Sequence, residues 1–306
     1  MSEHAFLSNK KIIITGASAG IGKTLAMGLA NFGANVGLLS RSADRLSELA
    51  QEIKNKGGQA AFATGDMQKS VQVHQAINKL VQKLGGIDVL INNAGIMDLN
   101  PLPDNYDEID RTIDTDLKGP LYCTLAVMPY FSKQHSGAII NTSSLLSLEA
   151  AANFVQYSVL YTIAKAGLNI FTRTITQRMN KDGVQVNAIL PGYVKTELIH
   201  DVPQKDIDTF GAIQPEELLP FFAFFAANED SKITGRLIPV DLFKSAAHFA
   251  RKQFPGRVPT WEELEPHLKS RYSDPKFAVY GEPLRLFSEG RKVLLWLLGW
   301  NQPLMK

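Results

Sequence analysis

The chain has 306 residues, 45% hydrophobic and 20% charged, which is enough for a sizeable core and outside the composition of disordered chains. Its 32 basic and 30 acidic residues leave a formal charge of +2, without the concentrated basic face that nucleic-acid binding requires, so no nucleic-acid partner is expected. No run approaches the roughly 18 apolar residues of a membrane span, the polar start Met1 to Lys11 lacks the apolar core of a secretion signal, and the single cysteine, Cys123, cannot close an intrachain disulfide, so a cytoplasmic setting is expected.

From Lys11 to about Val240, short Val/Ile/Leu-rich runs alternate with longer stretches of helical periodicity, the pattern of βαβ units about a buried parallel sheet. Strands are predicted at Lys11 to Thr15, Asn35 to Ser40, Ala60 to Thr64, Ile87 to Asn92, Ala138 to Thr142, Val184 to Leu190 and Arg236 to Val240. The first helix carries Leu25, Leu29 and Phe32 on one face, and Gly33 is placed to end it in a left-handed cap; Gly57 ends the next helix in the same way. Further helices fit Val71 to Leu84, Tyr106 to Lys133, Tyr157 to Lys181 and Pro215 to Ala227, long enough for right-handed crossovers. The expected fold class is α/β: a doubly wound, seven-stranded parallel sheet over residues 1–243, followed by a mainly helical extension, residues 244–306. In that extension Thr260-Trp261-Glu262-Glu263 reads as a capping box, and Arg291 to Trp300 is short and very apolar.

Directly after the first strand stands Thr15-Gly16-Ala17-Ser18-Ala19-Gly20-Ile21-Gly22. Glycines there permit a tight turn, close approach of a pyrophosphate and close packing of a helix whose N-terminus favours the phosphates. Gly16, Ser18, Gly20, Ile21 and Gly22 are therefore candidate cofactor-binding residues. Three more segments follow in order: Asn92-Asn93-Ala94-Gly95 after the fourth strand, Tyr161-Thr162-Ile163-Ala164-Lys165, and Pro191-Gly192 with Thr196 after the sixth strand. Together these motifs resemble the short-chain dehydrogenase/reductase family, over roughly Asn9 to Val240. The resemblance implies a Rossmann-type fold and a hydride transfer between a nicotinamide cofactor and a carbonyl or secondary alcohol. It also implies cofactor contacts from Asn93, Ala94, Gly95, Tyr161, Lys165, Pro191, Gly192, Val194 and Thr196.

The chemistry of Tyr161 and Lys165 can be argued from the residues themselves, because a four-residue spacing places both on one helix face. A phenol with an ordinary pKa of about 10 is a poor acid or base near neutrality, and a nearby ammonium stabilises its phenolate. Tyr161 can then exchange a proton with a substrate oxygen. The resemblance further assigns Lys165 to the nicotinamide ribose and a serine after the fifth strand to the substrate oxygen. Ser144 is the serine chosen here, with Ser147 as the alternative. The family's usual spacing would put Leu148 in that role, so the loop before Tyr161 carries a four-residue insertion. Tyr157 has the usual spacing from Ser144, but Tyr161 rather than a lysine stands four residues beyond it. In Thr115-Asp116-Leu117, Asp116 occupies the place of an asparagine that helps relay protons in the family. An ionised carboxylate near Lys165 favours the ammonium and accepts hydrogen bonds without donating them, which predicts a shifted pH profile. The competing placement turns Asp116 outward, toward solvent or Lys118.

After the second strand stands Ser40-Arg41, with no carboxylate to hold an adenosine ribose and a guanidinium that suits a 2′-phosphate, so the expected cofactor is NADP(H). Asp66-Met67 resemble the family's adenine contact. The six histidines are scattered without metal-ligand spacing, and no catalytic metal is expected. Glu197 to Gln214 occupies the family's mobile substrate loop, and Phe154, Val155 and Tyr157 are candidate apolar lining for a moderately hydrophobic carbonyl or alcohol. A homodimer or homotetramer is expected, although Asp241-Leu242-Phe243 replaces the Asp-Gly-Gly turn found near a subunit interface in many members. Leu294 to Leu298 and Trp300 have four possible placements: the protein's own body, the substrate cleft, a partner subunit, or a membrane surface beside Arg291 and Lys292. The first is the expected one. The leading reading is an NADPH-dependent carbonyl reductase. Its alternatives are a 3-oxoacyl-thioester reductase and, in another class, a non-catalytic NADP(H)-binding regulatory or scaffold protein. Intact Tyr161 and Lys165 favour an enzyme.

Overall fold

Continuous apolar strands need cover on both faces, and the helices between them supply it. The computed structural model describes residues 6–99, 105–148, 158–227, 233–273 and 283–299. In chain order it contains β1 (Lys11–Thr15), α1 (Gly20–Asn31), β2 (Asn35–Ser40), α2 (Ala43–Asn55), β3 (Gln59–Thr64), α3 (Ser70–Leu84), β4 (Val89–Asn92) and α4 (Tyr106–Ile113). A π-helical turn, Asp114–Lys118, leads into α5 (Gly119–Gln134), β5 (Gly137–Thr142), α6 (Val159–Asn180) and β6 (Val184–Leu190). Then come β7 (Tyr193–Val194), α7 (Gln204–Phe210), β8 (Ala212–Ile213), α8 (Leu219–Ala227), β9 (Leu237–Pro239), α9 (Val240–Gln253), α10 (Trp261–Tyr272) and α11 (Pro283–Gly299).

Seven strands form one parallel sheet in the order β3-β2-β1-β4-β5-β6-β9, so the predicted doubly wound sheet is present. The winding reverses between β1 and β4, which opens a crevice at the carboxyl ends of those strands. Side chains alternate between two apolar layers: Ile12 and Ile14 of β1 join the layer that includes α1, α2 and α8, while Ile13 joins the layer of α3 and α5. Gly33 and Gly57 adopt left-handed φ of 93° and 85° just past α1 and α2, as their placement predicts. The expected helix from Tyr106 to Lys133 is interrupted by the π turn, and β7 and β8 are too short for any sequence periodicity to announce them.

The extension packs on the protein's own body. Phe287 stacks against Phe243 and Tyr272, with ring centroids 5.5 and 5.1 Å away, and is fully buried. Trp296 meets Phe6 and Phe224, each at 5.7 Å, and its indole N–H donates to the Pro220 carbonyl at 3.2 Å. Leu294, Leu297 and Leu298 are buried in the same layer, so they face the body; Trp300 lies outside the described residues. Arg236 pairs with Glu289 at 2.9 Å across this contact. The Thr260 capping box is formed as predicted, with Thr260 N–H to Glu263 at 2.8 Å and Glu263 N–H to the Thr260 hydroxyl at 3.3 Å. The expected junction after Phe243 falls inside α9. Among the described residues, no helix is long and apolar enough to cross a membrane.

Candidate active site

The crevice between β1 and β4 opens into a cleft of about 790 Å³. Of the candidate cofactor residues, Gly16, Ser18, Gly20, Ile21, Arg41, Asp66, Met67, Asn93, Ala94, Gly95 and Thr196 line it. Its floor is tied together by Thr15, whose hydroxyl accepts the N–H groups of Asn93 and Ala94 at 3.0 Å each, while the Asn93 amide donates to the Thr15 carbonyl at 3.1 Å. Gly22 serves packing: a Cβ there would collide with the Gly16 carbonyl, so only glycine lets α1 start this close to β1. Pro191, Gly192 and Val194 stand behind the wall. The Pro191 carbonyl accepts the Leu145 N–H at 2.8 Å, Gly192 abuts Asp241, and Val194 is buried in β7.

The sequence reading missed Arg45, Gln68, Asp98, Arg111 and Thr115, which also line the cleft, as does Glu197, the first residue of the expected substrate loop. Arg45 alone had a usable signal, since it lies four residues after Arg41, in the first turn of α2. It faces Glu197 across the opening at 3.8 Å, an exposed pair with little energetic weight. Gln68 reaches Thr115 at 3.3 Å, and Asp98 holds Arg111 at 2.6 Å and Thr112 at 2.8 Å; these contacts join segments far apart in the chain.

Beside this cleft Tyr161, Lys165, Ser144 and Asp116 meet, all buried. The Lys165 ammonium lies 5.4 Å from the Tyr161 ring centre, 3.2 Å from Asp116 Oδ2, and donates to the Thr142 carbonyl at 3.1 Å. Asp116 therefore does not turn outward: Lys118 pairs instead with Asp114 at 2.7 Å. The second Asp116 oxygen accepts the Ile96 N–H at 2.8 Å. Gly95 joins the cluster to the cleft, because a Cβ at this cleft-lining residue would lie 2.9 Å from Asp116 Oδ2 and 3.2 Å from Lys165 Nζ.

The two serines have different neighbours. Ser144 lies near enough to Tyr161 to pull its phenol down, and its hydroxyl accepts the Leu146 N–H at 3.2 Å. Ser147 is absorbed into the scaffold: its hydroxyl donates to the Ser144 carbonyl, accepts from Asn169 at 2.7 Å, and lies 3.3 Å from the Ser143 hydroxyl. Tyr157, Phe154 and Val155 lie outside the described residues.

Burial raises the Tyr161 phenol above its ordinary range; Lys165 and Ser144 oppose this, and Asp116 adds to it. The expected lowering by the ammonium is thus present and outweighed. Burial also raises the Asp116 carboxyl against the pull of Lys165 and the Ile96 N–H, while the Asp116 carboxylate and Tyr161 raise Lys165 against its own burial. The ammonium is the firmly charged member, and the carboxyl is the one that neutralises first as pH falls. Among the described residues, no group of three or more His, Cys, Asp or Glu side chains could hold a metal ion.

The chain is similar to known proteins in both sequence and fold. The sequence model for short chain dehydrogenases matches residues 10–207. The chain is 32% identical over 245 residues to a 3-oxoacyl-(acyl-carrier-protein) reductase of Thermotoga maritima, covering 77% of this chain and 97% of that protein. It is 34% identical over 247 residues to the protein of the same name from Staphylococcus epidermidis, covering 76% and 98%. Among solved structures, a short-chain type dehydrogenase/reductase from Mycobacterium marinum superposes with a TM-score of 0.69 at 31% identity, covering 77% of this chain and 95% of that one. One from Beutenbergia cavernae, described as an NAD(P) dependent gluconate 5-dehydrogenase with bound NADP at low occupancy, gives 0.70 at 25% identity, covering 77% and 97%. With the sheet, the glycine turn and these matches in agreement, the chain belongs to the short-chain dehydrogenase/reductase family of oxidoreductases, which act on CH–OH and C=O groups.

Proposed function

We propose that this protein is an NADPH-dependent reductase of a carbonyl group on a moderately hydrophobic small molecule. The observation that carries the reading is the meeting of Tyr161, Lys165 and Ser144 beside a cleft whose adenosine end presents Arg41 and Arg45. The residues present suit a dinucleotide phosphate: at Gly16 and Gly22 of the turn a Cβ would collide with Ala94 and the Gly16 carbonyl, which keeps the turn tight, and two guanidinium groups stand where a ribose-binding carboxylate would exclude a 2′-phosphate. Arg41 and Arg45 would hold that phosphate, Asp66 and Met67 the adenine, and Lys165 the nicotinamide ribose. When bound, NADPH supplies the hydride. Ser144 holds the substrate oxygen, and Tyr161 gives that oxygen its phenolic proton as the electron pair of the C=O π bond localises there. Relatives named 3-oxoacyl-(acyl-carrier-protein) reductases favour a second reading, reduction of 3-oxoacyl thioesters, through the same residues.

The test follows NADPH and NADH oxidation across ketones, aldehydes and 3-oxoacyl thioesters. Tyr161→Phe is expected to lower turnover by about 10²–10⁴, and Arg41→Ala to reduce the preference for NADPH by about tenfold or more. Tight NADPH binding without turnover of any substrate would replace the reductase with a regulatory or scaffold protein.

A homodimer completes this reading. Leu125 on α5 and Ile163 and Ile170 on α6 are apolar yet 63%, 53% and 63% exposed, while the extension covers the opposite layer. Sedimentation equilibrium should show a dimer that Ile163→Lys dissociates; a monomeric wild type would refute it. The division into a 1–243 catalytic domain and a 244–306 packing extension belongs to the same proposal.

A further inference from the structure

We infer that Asp116 is a positioning residue that claims the Lys165 ammonium and so withholds part of its charge from the Tyr161 phenolate, keeping the phenol protonated for donation to a carbonyl. The inference rests on the reading of Tyr161 as the proton donor.

Its basis is the way Asp116 is held. The π-helical turn carries Asp116 inward to full burial, whereas Asp114 and Lys118 of the same turn form an ion pair at 2.7 Å. A π turn inside a helix is a local distortion often found at functional sites. Oδ1 of Asp116 accepts the Ile96 N–H at 2.8 Å, and Oδ2 forms an ion pair with Lys165 at 3.2 Å without hydrogen-bond geometry. The approach depends on Gly95, since a methyl group there would press on both Oδ2 and Nζ.

Lys165 has few other claims on its charge. It donates to the Thr142 carbonyl and sits 5.4 Å from the Tyr161 ring. In a site shielded from water, a carboxylate touching the ammonium cancels much of the positive potential that would stabilise a phenolate nearby. A neutral amide of the same shape would leave that potential in place. Asp98 also bears on Asp116: its negative charge raises the Asp116 carboxyl and so opposes the carboxylate form, and it is itself tied to Arg111 at 2.6 Å. Burial and Asp116 together raise Tyr161, against Lys165 and Ser144.

Reduction needs the protonated phenol, so the arrangement extends reductive activity toward alkaline pH. Replacing Asp116 by Asn frees the ammonium's field and favours the phenolate, so Tyr161 should titrate at lower pH. The primary readout is tyrosinate absorbance as a function of pH for wild type and Asp116→Asn. The corresponding Tyr161→Phe curve is subtracted from each, which isolates one of the eight tyrosines. A downward shift of about one pH unit is expected, with the alkaline limb of reductive turnover moving by the same amount. Asp116→Ser, smaller and equally neutral, should shift in the same direction and serves if Asp116→Asn folds poorly. A Tyr161 titration that stays in place or rises in folded variants overturns the inference while leaving the reductase intact. A downward shift in a protein that turns over no substrate overturns the reductase reading, and with it the role of Asp116 in proton donation.

Discussion

The carboxyl edge of the sheet and the C-terminal extension are both well buried, yet they are built from different materials. At the edge, charged and polar side chains are withdrawn from water and held by specific partners, as in the 3.2 Å contact between Lys165 and Asp116. In the extension, Phe287, Trp296 and the leucines of α11 fill space against Phe243, Phe224 and α8, joined by polar contacts such as Trp296 with the Pro220 carbonyl and Arg236 with Glu289. Apolar packing is non-directional and tolerates many partners, whereas a buried charge is tolerable only with one matched partner. The first region therefore rests on matched polar partners, and the second on apolar packing.

Substitutions should divide along the same line. The largest effect is expected from Tyr161→Phe, whose loss of turnover should come with a change in unfolding free energy of no more than about 1.5 kcal/mol, the scale of one net hydrogen bond. Phe287→Ala should do the reverse: stability falls by about 3–5 kcal/mol, while kcat/KM of the folded fraction is unchanged. Denaturant unfolding and steady-state kinetics on both variants decide the matter. A Phe287→Ala protein that folds fully yet loses turnover would erase the distinction and make the extension part of the site.

The smallest expected effect sharpens the contrast within the extension itself. Glu263 accepts the Thr260 N–H and a two-pronged contact from Arg257 at 2.7 and 2.8 Å, which holds its carboxyl down at about 2, against an ordinary 4.5. A lowered carboxyl binds fewer protons folded than unfolded, so its contribution is fully present above 4.5 and is lost as pH falls through about 2. Glu263→Gln should therefore unfold slightly more easily than wild type near neutrality, and the two should converge in acid. A constant difference across that range, followed by thermal melts, would show that the cap acts through shape rather than charge.

Much of this protein is legible in its residues taken in order. The apolar runs that became β1 to β6, the glycine turn from Gly16 to Gly22, the Thr260 capping box and the Tyr161–Lys165 spacing are all local patterns, and local patterns survive in one dimension because backbone sterics and helical periodicity act over a few residues. What the order could not decide involves partners far apart in the chain. Whether Asp116 met Lys118 or Lys165 depended on a π turn. Asn169 of α6 claims Ser147, and where the α11 leucines went depended on the α8 and α9 faces they pack against. Burial, the energy of a charge pair and the pKa of a phenol are all set by what surrounds a group in three dimensions, and only the folded chain supplies those surroundings.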